Sequence, residues 1–164
     1  MKKDIIENCY DFLKYETPLN FDCGRLCNRC CCKDTEKGMI LFPDEEKRFE
    51  NNDDFEIIKD IKNRNLLFCN SFCERKLRPI SCRIYPLFPY TYEESGELKQ
   101  KIVLDLRGAN SCVIIDENMK LQKSFIANVR KVGKILLRDE KCRQMLLEIS
   151  KEIDDIIAIN EMLR

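Results

Sequence analysis

Eleven cysteines and no histidine set the chemistry open to this chain. Cys23, Cys27, Cys30, Cys31 and Cys32 crowd into ten residues; Cys69, Cys73 and Cys82 form a second group, and Cys112 follows alone. Thiolates at such spacings hold a soft metal or pair as disulfides. An odd total fits poorly with complete pairing. Without histidine, Ser-His-Asp and Cys-His catalysis are impossible, and neither a Gly-rich phosphate loop nor G-x-G-x-x-G occurs. Cys32, flanked by Lys33, is the best candidate for a redox thiol left over from a site, although a spare cysteine is the plainer reading. Cys9 and Cys142 fall on helical segments far from the clusters and read as small apolar packing residues.

Cys23-Gly-Arg-Leu-Cys27-Asn-Arg-Cys30-Cys31 is a C-x3-C-x2-C-C array. A tight loop can aim successive thiols inward, and Gly24 relaxes the backbone there. Short spacings of this kind recur in zinc and iron–sulfur sites. Adjacent Cys30 and Cys31 point apart on an extended backbone. They would then serve two metals, or one would be a ligand and the other a packing residue. Arg25, Arg29, Lys33, Arg75, Lys76, Arg78 and Arg83 are interleaved with the cysteines, and a thiolate-rich site needs nearby cations. In the segment Arg78-Pro79 to Cys82-Arg83-Ile84-Tyr85-Pro86, the prolines are expected to stiffen the loop, Tyr85 to pack on it and Arg83 to neutralise it. Cys112 follows Arg107-Gly108-Ala109-Asn110, whose glycine and asparagine suit the turns of a ligand loop.

The array, with Cys69-Asn-Ser-Phe-Cys73 and Arg78-Pro79-Ile-Ser-Cys82-Arg83-Ile-Tyr85-Pro86, resembles the YkgJ-like cysteine-cluster proteins. These are described as zinc- or iron-chelating domains with a CxxxCxxCC signature. The resemblance covers about residues 20–90 and implies Cys23, Cys27, Cys30, Cys31, Cys69, Cys73 and Cys82 as metal ligands. The chain departs from the family pattern where Glu74-Arg75-Lys76 replaces an Ile-Tyr. Cys112 lies outside the pattern and is a plausible eighth ligand. Eight thiols allow two four-coordinate sites, filled by zinc or by iron–sulfur clusters. Larger relatives sharing the array are flagellin lysine methylases, for which the resemblance implies an iron–sulfur cluster; [4Fe–4S] is therefore expected ahead of Zn²⁺. Cys23-x3-Cys27-x2-Cys30 is also the radical-SAM spacing. A partial barrel needs repeated strand–helix units, and this chain has few strands and a proline-rich middle.

The elements that must position these thiols are legible in outline. A helix is expected from about Asp4 to Tyr15, and a short strand over Gly38–Phe42. A helix start is read at Pro43-Asp44-Glu45-Glu46, and a second short helix, capped by Asp53 or Asp54, carries Phe55, Ile58 and Ile61. Phe88 to Tyr92 and Leu98 to Leu106 read as a hairpin around Glu94-Ser95-Gly96. Leu121, Phe125, Val129, Val132 and Leu136 recur at helical spacing, as do Leu146, Ile149, Ile153, Ile156 and Met162; the two helices are expected to form an antiparallel pair. The fold class is thus α+β and loop-rich: a single domain, 1–164, with a cysteine-cluster core over about 20–112 and a C-terminal helical pair over about 116–163.

Length and charge bound the function. A chain of 164 residues suits one core, and a formal net charge of zero offers no global field for nucleic acid. The charged, amphipathic start and the lack of a long apolar run point to no membrane and to a reducing, cytoplasmic setting. Three function classes follow. The first is a metal-binding protein in a structural, electron-transfer or metal-handling role. The second is a metal-dependent enzyme with an open coordination position, and the third an interaction module with structural zinc and a protein partner.

Overall fold

The computed structural model describes residues 4–33, 38–69 and 74–164. Helix α1 (Ile5–Leu13) begins where the Asp4 carboxylate accepts the Ile6 N–H at 2.8 Å, satisfying a donor that the first turn cannot. Its buried residues Ile6, Cys9, Tyr10 and Leu13 lie at helical spacing on one face, which packs on a later helix, α5 (Lys123–Leu136). The final helix, α6 (Glu140–Met162), is capped by Asp139, which accepts from the Cys142 N–H at 2.9 Å.

The hairpin forms as the sequence suggests. Strands Leu87–Glu94 and Glu97–Leu104 pair from Leu87 with Leu104 to Glu94 with Glu97. The two-residue turn places Ser95 at φ 54° and Gly96 at φ 79°, the double left-handed geometry that matches the twist of a tight hairpin. One main core joins α1, α5, α6 and the first hairpin strand, with Phe88, Phe125, Val129, Leu136, Leu146 and Ile149 almost wholly buried. Gly133 lets α5 approach the hairpin: a Cβ there would stand 2.4 Å from Gln100 Oε1 and 2.6 Å from Pro89 Cβ.

Two expectations are corrected. The segment read as a second short helix is a strand, β2 (Phe55–Lys59), in a three-stranded antiparallel sheet with β1 (Met39–Ile40) and the central β3 (Asn65–Cys69). Phe55 and Ile57, two residues apart, pack towards Leu41, Phe49 and Leu67, as strand periodicity requires, while Ile58 and Ile61 face outward. The two C-terminal helices exist as expected but do not lie along each other: α5 packs on α1 and both hairpin strands, and α6 on the first hairpin strand. There Ser150 Oγ accepts the Thr91 N–H at 2.8 Å and donates to the Leu146 carbonyl at 2.7 Å.

A buried carboxylate ties the helical core to the cysteine region. Glu45 opens the 3₁₀ turn Glu45–Arg48 and is fully buried. Its Oε1 accepts from Tyr10 Oη at 2.6 Å and from the Ile80 N–H at 2.7 Å, and its Oε2 from the Phe42 N–H at 2.8 Å. Burial raises the Glu45 pKa, against the pull of these three donors and of Arg48. Ile80 begins the short helix α3 (Ile80–Ile84), which leads directly into Tyr85 and Pro86.

Candidate metal centre

Four thiols border one small cavity. Cys23, Cys27, Cys31 and Cys112 line a hollow of ≈ 20 Å³ together with Tyr85, Pro86, Val113 and Ile114. The first three sit four residues apart. Cys23 opens the 3₁₀ turn Cys23–Arg25, and Cys31 lies in the single-turn helix α2 (Cys30–Lys33). Between them Asn28 and Arg29 take left-handed conformations, φ 50° and 57°, so the segment is a wound loop and not one helix. Asp22 fixes its start by accepting the Gly24 N–H at 3.1 Å. The fourth thiol comes from across the domain: the turn Leu106–Ser111 leaves the hairpin and delivers Cys112 just before helix α4 (Val113–Asp116).

The surroundings favour an anionic sulfur centre. Cys112 is buried with Leu19 and Ile114, and Cys23 and Tyr85 pack against that cluster. Burial pushes the Cys23 thiol up to about 11, aided by the charges of Asp22, Cys27 and Cys112 and opposed by Arg78. At neutral pH it is a resting thiol, and a metal must displace its proton. Arg75 and Arg78 stand on the same side. The Arg78 guanidinium reaches Asp22 at 3.4 Å, and burial first and then neighbouring Arg78 lower the Arg75 pKa, with Asp22 and Cys23 pulling the other way. Arg75 Nη2 is buried with no hydrogen-bond partner among the described residues. A buried guanidinium within electrostatic reach of Cys23 suits a site that becomes more negative once its sulfurs ionise. The all-sulfur donor set, apolar walls and adjacent cations fit a thiolate-bound soft metal or cluster. As they stand, no three His, Cys, Asp or Glu side chains among the described residues are arranged to hold a single metal ion.

Of the eight expected ligands, Cys23, Cys27, Cys31 and Cys112 come together around this hollow. Cys30 is exposed and does not border it; the backbone here is a helical turn and not the extended one expected, yet only Cys31 of the pair lines the hollow. Cys69, at the end of β3, and Cys82, on α3, are half-buried and also lie off the cavity. Cys73 and the side chain of Cys32 lie outside what the structure describes. Tyr85 packs on the site as expected, and Pro86 lines it. Tyr85 Oη donates to the Gly108 carbonyl at 2.8 Å. Its pKa is raised by burial first, then by the charge of Cys112 and a hydrogen bond with it.

Arg83 does something other than neutralise thiolates. Its Nε donates to the Arg78 carbonyl at 2.7 Å and its Nη2 to the Lys76 carbonyl at 2.8 Å, while the guanidinium stacks 4.7 Å from the Tyr10 ring centre. It braces the turn Arg75–Leu77, and so the two arginines that do approach Cys23. Cys9 and Cys142 are packed in the main core, the Cys9 thiol pushed up to about 12 chiefly by burial, consistent with inert packing. A larger open cleft of ≈ 340 Å³, bordered by Lys62, Glu148, Lys151, Glu152 and Asp155, contains no thiol, and Lys62 pairs there with Glu152 at 2.7 Å.

Comparisons with protein-family models, curated proteins and solved structures return no match. Among the described residues, no helix is long and apolar enough to cross a membrane.

Proposed function

We propose that this chain is a metal-binding protein. Cys23, Cys27, Cys31 and Cys112 hold an iron–sulfur cluster or a zinc ion in a structural, electron-transfer or metal-handling role. The observation that carries this reading is the meeting of four thiols from two distant segments around one hollow. Its apolar walls and a buried Arg75 nitrogen with no hydrogen-bond partner among the described residues add support.

The two centres make different demands. Tetrahedral zinc, with Zn–S about 2.3 Å, draws four sulfurs to within about 3.8 Å of one another. A four-iron cluster takes one thiolate per iron and needs a wider ring. The ≈ 20 Å³ hollow is nearer the scale of one ion, whereas the family resemblance implies a cluster. Small-molecule pockets run to roughly 300–1,000 Å³, so a hollow this size favours a closed centre over an enzyme site with substrate beside the metal.

Anaerobic purification with analysis of iron, acid-labile sulfide and zinc tests the reading. Iron with matching sulfide and a brown colour assigns a cluster; stoichiometric zinc in a colourless protein assigns the ion. A chain that carries none of these, and takes up none on anaerobic reconstitution, refutes the proposal.

A further inference from the structure

Among the described residues, Tyr85 is the one hydrogen-bonding side chain other than cysteine that borders the four-thiol hollow. It packs with Cys23 against buried Cys112. Its hydroxyl donates to the Gly108 carbonyl at 2.8 Å, in the turn that ends immediately before Cys112. The fit is close: a Cβ on Gly108 would stand 2.8 Å from Tyr85 Oη, 3.1 Å from Cε2 and 3.2 Å from Cζ. The ring and the turn therefore seat against each other only while residue 108 lacks a side chain. One end of this contact leads into α3 and the buried Glu45, and the other delivers the fourth thiol.

We infer that Tyr85 is a positioning residue for the metal centre, its hydroxyl holding the turn that presents Cys112 before metal binds and donating to the Cys112 sulfur afterwards. The inference rests on the proposal that Cys112 is a ligand. In the metal-free chain the Tyr85 hydroxyl lies 2.8 Å from the Gly108 carbonyl and also interacts with the Cys112 thiol. When a metal binds, the Cys112 S–H bond breaks, its proton leaves to solvent and a metal–sulfur bond forms. Tyr85 keeps its own proton and turns it about the C–O bond towards the new anion, because an ionised sulfur is a stronger acceptor than a neutral carbonyl. Partners of this kind orient the ligand and set its donor strength, and their loss typically weakens metal binding ten- to a hundredfold.

The test uses the full chain, with Zn²⁺ and Co²⁺ as probes. Tyr85→Phe keeps the ring and removes only the hydroxyl. We expect it to hold Zn²⁺ ten- to a hundredfold less tightly in competition with a chromophoric chelator. Its thiolate-to-cobalt absorption should move to longer wavelength, since a sulfur that loses a donor is easier to oxidise; a merely structural role would leave that band in place. Gly108→Ala keeps the hydroxyl but displaces it and should shift both readouts the same way. A Tyr85→Phe chain with affinity within twofold of wild type and an unmoved cobalt band overturns the inference and leaves the four-thiol centre standing. Unchanged Zn²⁺ affinity in Cys112→Ser also overturns it, by removing Cys112 from the ligands. A wild-type chain that binds neither ion overturns the inference and, unless iron and sulfide are found, the centre too.

Discussion

Replacing Glu45 should unfasten the cysteine region from the helical core. Glu45→Ala strands three donors in a site closed to water: Tyr10 Oη and the Phe42 and Ile80 N–H groups. Each stranded donor costs about 1–3 kcal/mol. Part of the sum is returned, because the variant no longer buries a carboxyl whose pKa burial has raised. A net loss of about 3–5 kcal/mol follows, in line with other broken buried polar networks. For a chain of this length that lowers Tm by roughly 10 °C. Glu45→Gln keeps one oxygen for the Tyr10 and Ile80 donors and turns its amide against the Phe42 N–H, so it should lose less, about 1–3 kcal/mol. The pH dependence has a defined sign. The folded chain retains the Glu45 proton above about pH 4.3, where the unfolded chain gives it up, so this group's contribution is full at lower pH and fades as pH rises through the folded value. The stability gap between wild type and Glu45→Gln should therefore narrow as pH rises from 4. Urea unfolding followed by far-UV circular dichroism measures all of this, with exposed Glu50→Ala as the control, expected within about 0.5 kcal/mol of wild type. A Glu45→Ala chain as stable as that control would refute the reasoning.

Single Cys→Ser changes at Cys23, Cys27, Cys31 or Cys112 should each cut the metal content of anaerobically purified protein, whereas Cys9→Ala should lose stability and keep its metal; equal metal content in all five would dissolve the ring. A second pH effect runs opposite to that of Glu45. Arg64 pairs with Asp60 at 2.8 Å and Glu152 at 2.7 Å. Burial alone would raise both carboxyls, but their hydrogen bonds and the cation outweigh it and hold them below the usual range. Their contribution is present above about pH 4 and lost as pH falls through the lowered folded values. Arg64→Ala should cost about 1 kcal/mol at pH 7 and flatten that acid loss in urea titrations at pH 7, 4 and 3; parallel curves would remove the network from the account.

The long periodic elements were legible because their signals are local. Ile6, Tyr10 and Leu13, or Phe125, Val129, Val132 and Leu136, declare a helix face within their own segment, and Ser95-Gly96 declares a tight turn. Phe55, Ile58 and Ile61 also satisfy a helical spacing; what decides the strand form of β2 is pairing with Asn65 to Cys69, a contact local sequence does not reveal. At the centre, attention to the C-x2-C-C part of the array hid a simpler pattern. Cys23, Cys27 and Cys31 recur every fourth residue, and that interval selects the three that face the hollow over Cys30. Cys112 was signalled only by its glycine- and asparagine-bearing approach. Arg83 looked like a counter-charge because it adjoins Cys82, yet on α3 the two side chains leave in different directions, and Arg83 turns to carbonyls and Tyr10.

The distance along the chain between Cys31 and Cys112, 81 residues, bears on how such a centre is assembled in a cell. At a synthesis rate of about 5–20 residues per second, the fourth sulfur emerges from the ribosome roughly 4–16 s after the third. For that interval the nascent chain displays only three of the four proposed ligands. If the four thiols hold a metal as proposed, its loading waits until the hairpin has closed and delivered Cys112, well after the first three sulfurs are available.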